Sequence, residues 1–144
     1  MKMLRSRIYF GLLGALLLCA ACQTISTYDQ AAYEHATNAK VDTLALMSEA
    51  TASYSSHTTR IAELQRELDK AFEYDNGRPL NHYTIESWNT LRGSDGILNR
   101  FLARWKEAGS LSPAFIADKK DHVAREFDDI IKLESGKIKT PQNQ

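Results

Sequence analysis

The chain predicts an all-α fold: a long N-terminal amphipathic helix packed on a helical hairpin of shorter helices, a three- to four-helix bundle. Three observations point there. Glu, Lys, Ala, Leu, Asp and Arg are common while Gly and Pro are few, which favours helix over sheet. Apolar residues recur at three- and four-residue intervals, with no alternating strand pattern. Beyond residue 22, glycine and proline cluster where one helix ends and the next begins. The 144 residues leave room for one domain and a short processing segment. We divide them into a signal segment (1–21), a tether (22–27), a helical domain (28–134) and a disordered tail (135–144).

The first 22 residues have three parts. "MKMLRSR" is cationic, "IYFGLLGALLL" is apolar, and "CAAC" is a run of small residues. The apolar stretch Ile8–Ala21 is 14 residues long. A helix crossing about 30 Å of hydrocarbon needs about 20. The segment therefore reads as an export signal rather than a permanent span. Ala20, Ala21 and Cys22 resemble the bacterial lipoprotein signal, in which small residues precede a cysteine that becomes the lipidated N-terminus; Cys19 stands where that motif prefers an aliphatic residue. The resemblance covers residues 1–22 alone. It implies cleavage before Cys22, with lipid on that residue as the membrane anchor. Several acyl chains hold firmly where one holds marginally, at about 0.8 kcal/mol per buried methylene. In a Gram-negative host Gln23, not being Asp, implies the periplasmic face of the outer membrane. A redox Cys-x-x-C pair would instead need a helix start after a strand, and a zinc site would need further Cys or His nearby.

From Tyr28 to Tyr74 there is no proline or glycine. Val41, Leu44, Met47, Thr51, Tyr54, Thr58, Ile61, Leu64, Leu68 and Phe72 define one stripe. This spacing predicts a single helix of roughly 45 residues, about 68 Å long at 1.5 Å per residue. Ser26 or Thr27 would cap it. "TASYSSHTTR" is its weak point, because hydroxyl side chains compete for backbone hydrogen bonds, and a kink is expected there. Partners about 35 Å long would leave the N-terminal half free as a stalk, a self-association surface or a binding surface.

"DNGRP" stops this helix. Two shorter helices follow, at 82–92 and 96–108, separated by "GSDG", where Ser94 or Asp95 would cap. Gly109 ends the second. Ser112 and Pro113 restart a helix over 113–134, closed by Gly136. The expected core is Leu44, Ile61, Leu64, Leu68, Trp88, Leu91, Phe101, Trp105, Phe127 and Ile130.

Chemistry is sparse. Asp118, His122 and Glu126 share one face of the last helix at i, i+4 and i+8 and offer three metal ligands. With Lys119, Lys120 and Arg125 alongside, they read instead as a solvated charged stripe. His82 and Glu86 read the same way. No serine sits on a nucleophile elbow or a Ser-x-x-Lys helix start. No catalytic residue, metal or cofactor is expected, and the chain reads as non-enzymatic. Lys2, Arg5 and Arg7 lie in an acid-free leader, so 15 of the 18 basic residues remain against 18 acidic ones, a net of −3. That balance argues against nucleic acid as partner. The expected partners are a membrane, through lipid on Cys22, and a protein or a second copy, through the first helix. The expected function is an interaction or assembly-support module of the cell envelope, as in small helical pilot lipoproteins. The alternative is an immunity or entry-exclusion lipoprotein that blocks a toxin or transfer apparatus.

Overall fold

A computed structural model describes residues 26–136. The signal segment, Cys22 and the tail beyond Gly136 lie outside the described residues. Five helices follow in order: α1 (Gln30–Ser48), α2 (Thr58–Asn76), α3 (His82–Arg92), α4 (Ile97–Ala108) and α5 (Pro113–Glu134). A 3-10 turn, Tyr54–His57, joins α1 to α2. Among the described residues there is no strand, and the expected small all-α bundle stands.

The first helix is not one rod. It breaks after Ser48, and α2 folds back beside α1. Local chemistry begins the break: Ser53 is extended, the Ser56 hydroxyl donates to the Ser53 carbonyl at 2.7 Å, and the Ser53 and Ser55 hydroxyls bond at 2.7 Å. Hydroxyls that capture backbone groups remove the ladder a continuous helix would need. Tertiary contacts then hold the turn. Tyr54 N–H donates to the Gly109 carbonyl, Leu111 N–H to the Ala50 carbonyl (both 2.8 Å), and Trp105 Nε1–H to the Ala52 carbonyl at 3.0 Å. Folding back also covers apolar surface that a long rod would expose, at roughly 25 cal/mol per Å².

These bonds place the α1–α2 and α4–α5 turns together at one end. At the other end, Arg78 of the α2–α3 turn reaches both Thr27 and Glu134. The chain therefore runs up α1, down α2, up through α3 and α4, and down α5. α1 packs on α2 and α5, and α3 packs on the same two. The expected stalk is thereby used up: α1 lies within the bundle.

Nine of the ten expected core residues are buried; Leu44 is half-buried. On α1 the buried face is shifted from the expected one. It runs through Ala32, Ala36, Ala39, Thr43, Leu46 and Met47, with Ala50 buried in the turn beyond, and leaves Val41 66% exposed. Small side chains let two helix axes approach closely, so α1 turns its alanines inward. Trp88 meets Phe127 edge-on at 6.0 Å, and Trp105 meets Tyr54 edge-on at 5.5 Å.

Two caps differ from expectation. Asp29, not Ser26 or Thr27, caps α1 by accepting from Ala32 N–H at 2.9 Å. Gly96, not Ser94 or Asp95, precedes α4. A Cβ at Gly96 would lie 2.6 Å from the Leu91 carbonyl oxygen, too close for any other residue without movement. Asn99 Nδ2 donates to the Arg92 and Gly93 carbonyls at 2.8 and 2.9 Å, closing the end of α3. Ser112 caps α5 and Gly109, at φ 77°, ends α4, both as expected.

Candidate functional site

The most developed polar structure lies where the chain enters the domain. Asp75, at the end of α2, is fully buried. Its Oδ2 accepts from Trp88 Nε1–H at 2.7 Å, and its Oδ1 from Arg78 at 3.0 Å. The same guanidinium nitrogen pairs with Glu134 Oε2. Glu134 Oε1 accepts from the Thr84 hydroxyl at 3.0 Å, and Asn81 Nδ2 donates to the Asp75 carbonyl at 2.8 Å. Both carboxylate side chains are 1% exposed and Arg78 is 11% exposed. One buried cation thus serves two buried anions, with neutral donors on the remaining oxygens. A buried charge survives only with such partners.

The cluster also grips the incoming chain. The second Arg78 nitrogen donates to the Thr27 carbonyl at 2.7 Å, and Ser26 N–H donates to the Leu80 carbonyl at 2.9 Å. Tyr74 Oη lies 3.1 Å from both Asp29 carboxylate oxygens. Residues expected to form a loose tether are therefore held against the α2–α3 turn. That turn contains Leu80, at φ 57° the one described non-glycine residue with positive φ. Left-handed backbone costs a side-chain-bearing residue roughly 1–2 kcal/mol.

The carboxyl groups here titrate differently. Burial pushes Glu134 above the ordinary 4.5, against the downward pull of Arg78 and Thr84. The Ala32 N–H, helped by the Tyr74 hydroxyl, holds Asp29 below the ordinary 3.8. Burial works against the Arg78 charge, and its bonds to Glu134 and Asp75 outweigh that, leaving its pKa raised.

Sequence reasoning missed this cluster, though a signal existed. Ile61, Leu64, Leu68, Ala71 and Asp75 keep helical spacing on one face, as do Val123, Phe127, Ile130 and Glu134. A carboxylate in register with a buried apolar stripe is the pattern that reveals it.

A second feature is a cleft of about 310 Å³ between α4 and α5. Ile97, Phe101, Phe115 and Val123 form its apolar lining, and Arg100, Lys119 and His122 bring nitrogen groups to it. Phe101 and Phe115 stack at 6.3 Å, and Lys119 lies 5.5 Å over the Phe115 ring.

The triad read on α5 is divided among different surroundings. Asp118 pairs with Lys119 at 2.8 Å, which holds its carboxyl below the ordinary range. His122 lines the cleft, while Glu126 is half-buried and its pKa is raised by burial. His82 and Glu86 stand 4.0 Å apart on an exposed face. Among the described residues, no three His, Cys, Asp or Glu side chains gather to hold a metal ion, and no helix is long and apolar enough to cross a membrane. Cys22 lies outside the described residues. Comparison with family models, with curated proteins and with solved structures finds no match for this chain.

Proposed function

We propose that this chain is a lipid-anchored, non-enzymatic interaction module of a bacterial envelope, held through Cys22 with its helical domain facing the periplasm. The carrying observation is the small-residue run ending in Cys22, placed just ahead of a chain entry gripped by Arg78 and Leu80. Only four peptide steps separate Cys22 from Ser26, at most about 14 Å of extended chain. A lipid on Cys22 would keep the clasped end at the bilayer and turn the Ala50–His57 and Gly109–Leu111 end away from it.

The surface offered to a protein partner is the cleft between α4 and α5 rather than the face of the first helix. Its apolar floor and its Arg100, Lys119 and His122 side chains suit a segment bearing an acidic group beside an aromatic or aliphatic one. The assembly-support reading fits this better than a free stalk, since α1 has its long face buried.

Acyl labelling of wild type against Cys22→Ala, with membrane fractionation, tests the anchor. Label on wild type only, in the membrane fraction, is expected. An unlabelled, soluble wild-type chain would overturn the assignment. Photocrosslinking in membranes from position 119 tests the module: one discrete adduct, weakened by Arg100→Glu, is expected, and a smear unaffected by the charge reversal counts against it.

A further inference from the structure

The end of the bundle that holds the incoming chain is also where its apolar side chains are bare. Among the described residues, four large hydrophobic side chains are markedly exposed, and three belong to this end: Tyr28 at 57%, Leu80 at 51% and Tyr74 at 39%. Pro79 beside Leu80 is exposed as well. The clasp holds the backbone just before Tyr28 against the turn that carries Leu80. Ser26 N–H bonds the Leu80 carbonyl, Arg78 bonds the Thr27 carbonyl, and Tyr28 follows directly.

Leu80 is the informative residue. It occupies left-handed backbone, where glycine or asparagine would sit more easily. Its carbonyl is held by the Ser26 N–H, yet its side chain stays half bare. Arg78 is engaged with Asp75 and Glu134, and Asp29 with the α1 cap and Tyr74. Beside the exposed polar Glu73, Asn76 and His82, this end presents outward a leucine, a proline and tyrosines, and tyrosine is a residue type that settles at the boundary between hydrocarbon and water.

We infer that this face is a membrane-contact surface, with Leu80 and Tyr28 seated in the interface of the bilayer that carries the chain. The occupant follows from where the chain leads. Ser26 is held at this face, and Cys22, the residue proposed to carry the lipid, stands four positions earlier. That separation, at most about 14 Å of extended chain, keeps the face near the bilayer that holds the anchor. The arginine and carboxylate cluster then acts as a clamp. It fixes the entry point so that the domain docks in one orientation instead of swinging on its anchor. The inference rests on the membrane attachment proposed above, through lipid on Cys22 or, in a chain that keeps its leader uncleaved, through the apolar run.

The test uses the full chain, purified from membranes with its native N-terminus. It is reconstituted in phosphatidylethanolamine and phosphatidylglycerol vesicles containing a trace of diazirine-bearing phospholipid. After illumination, lipid adducts are mapped by peptide mass spectrometry on wild type and on Leu80→Asn. Adducts are expected on the peptides holding Tyr28 and residues 79–83, and not on those holding residues 49–57 or 109–113. Leu80→Asn should lose the adducts on 79–83 while melting no lower than wild type, because asparagine accepts the left-handed backbone. Adducts confined to the first few residues, spread over both ends, or replaced by protein–protein crosslinks at Leu80 would overturn the inference. Acyl labelling on the same preparation separates the two readings. A lipidated chain without adducts on 79–83 sinks this inference and leaves the anchor; an unlipidated chain with them does the reverse.

Discussion

Trp88 donates its indole N–H to Asp75 at 2.7 Å, and both side chains are fully buried. This bond joins the last turn of α2 to the middle of α3 across the sharp "DNGRPLN" connection. Asp75 stands at a helix C-terminus, where the macrodipole disfavours an anion. Arg78 and Trp88 make the position tolerable.

Removing either member should therefore cost more than a surface change. Trp88→Phe keeps most of the volume but leaves Asp75 Oδ2 without its donor, and should lose about 1–3 kcal/mol in urea denaturation. Asp75→Ala leaves Arg78 and the indole N–H short of an acceptor in the interior, at about 3–5 kcal/mol. The double variant should cost clearly less than the sum of the two, since both remove the same bond. Strict additivity would show that the pair is not coupled.

Two carboxyl groups at this end should respond to pH in opposite directions. Asp29 is depressed in the folded state, so its contribution is present above the ordinary 3.8 and lost as pH falls through its folded value. Glu134 is raised, so its contribution is complete below the ordinary 4.5 and lost as pH rises through its folded value. Asparagine still caps a helix, so the gap between wild type and Asp29→Asn should widen from about pH 3 to about pH 7. The gap between wild type and Glu134→Gln should narrow over the same range. Denaturant midpoints at the two pH values decide it.

Thr43 is fully buried in α1, and its hydroxyl is the one described buried side-chain polar atom without a hydrogen-bond partner. A buried unsatisfied hydroxyl is costly, and valine has nearly the same shape. Thr43→Val should raise stability by about 1 kcal/mol. A loss of stability would mean the hydroxyl is satisfied in solution.

Two glycine substitutions separate close approach from ordinary turn chemistry. A Cβ at Gly96 would meet the Leu91 carbonyl oxygen at 2.6 Å and the Gly93 nitrogen at 2.8 Å. Gly96→Ala should cost about 1–3 kcal/mol, the range of overpacking. At Gly77 the nearest atoms lie at 3.6 Å and φ is −76°, so Gly77→Ala should be within about 0.5 kcal/mol of wild type. Thermal melts of the two variants give the comparison.

The grip on the entering chain is open to hydrogen exchange. Arg78→Lys keeps a positive charge but has one nitrogen where the guanidinium uses two, so it cannot serve Asp75, Glu134 and Thr27 in the same geometry. The Ser26 amide should exchange faster in this variant, while amides in the middle of α5 stay protected. Unchanged exchange at Ser26 would show that the Leu80 carbonyl holds the segment alone.

Much of the fold was legible in the chain because local chemistry and tertiary packing agree there. Ser112-Pro113 and Gly109 bound their helices where capping preferences put them, and Trp88, Trp105 and Phe127 lie inside as their spacing requires. The readings that failed share a cause. In the segment "TASYSSHTTR" a kink and a full reversal begin with the same hydroxyl competition. Bonds from Tyr54, Ala52 and Ala50 to the α4–α5 region, more than fifty positions away, complete the reversal. The α1 face shifted to its alanines because close approach rewards small residues, a preference visible only once α2 and α5 lie alongside. Asp75 and Glu134 kept apolar register and could have been noticed. Their joining through Arg78 could not, because 56 positions separate Arg78 from Glu134.

By itself, then, the sequence determined the helical class, most helix ends and the aromatic core. These depend on periodicity, capping and composition, which act over one or two turns. The tertiary structure alone decided that the first 45-residue stripe is a hairpin, that residues 26–29 are held rather than loose, and that a buried Asp75–Arg78–Glu134 cluster does the holding. Each of these needs groups distant in the chain to meet in a dry interior, where an unpaired charge is too costly to keep and a paired one sets the geometry.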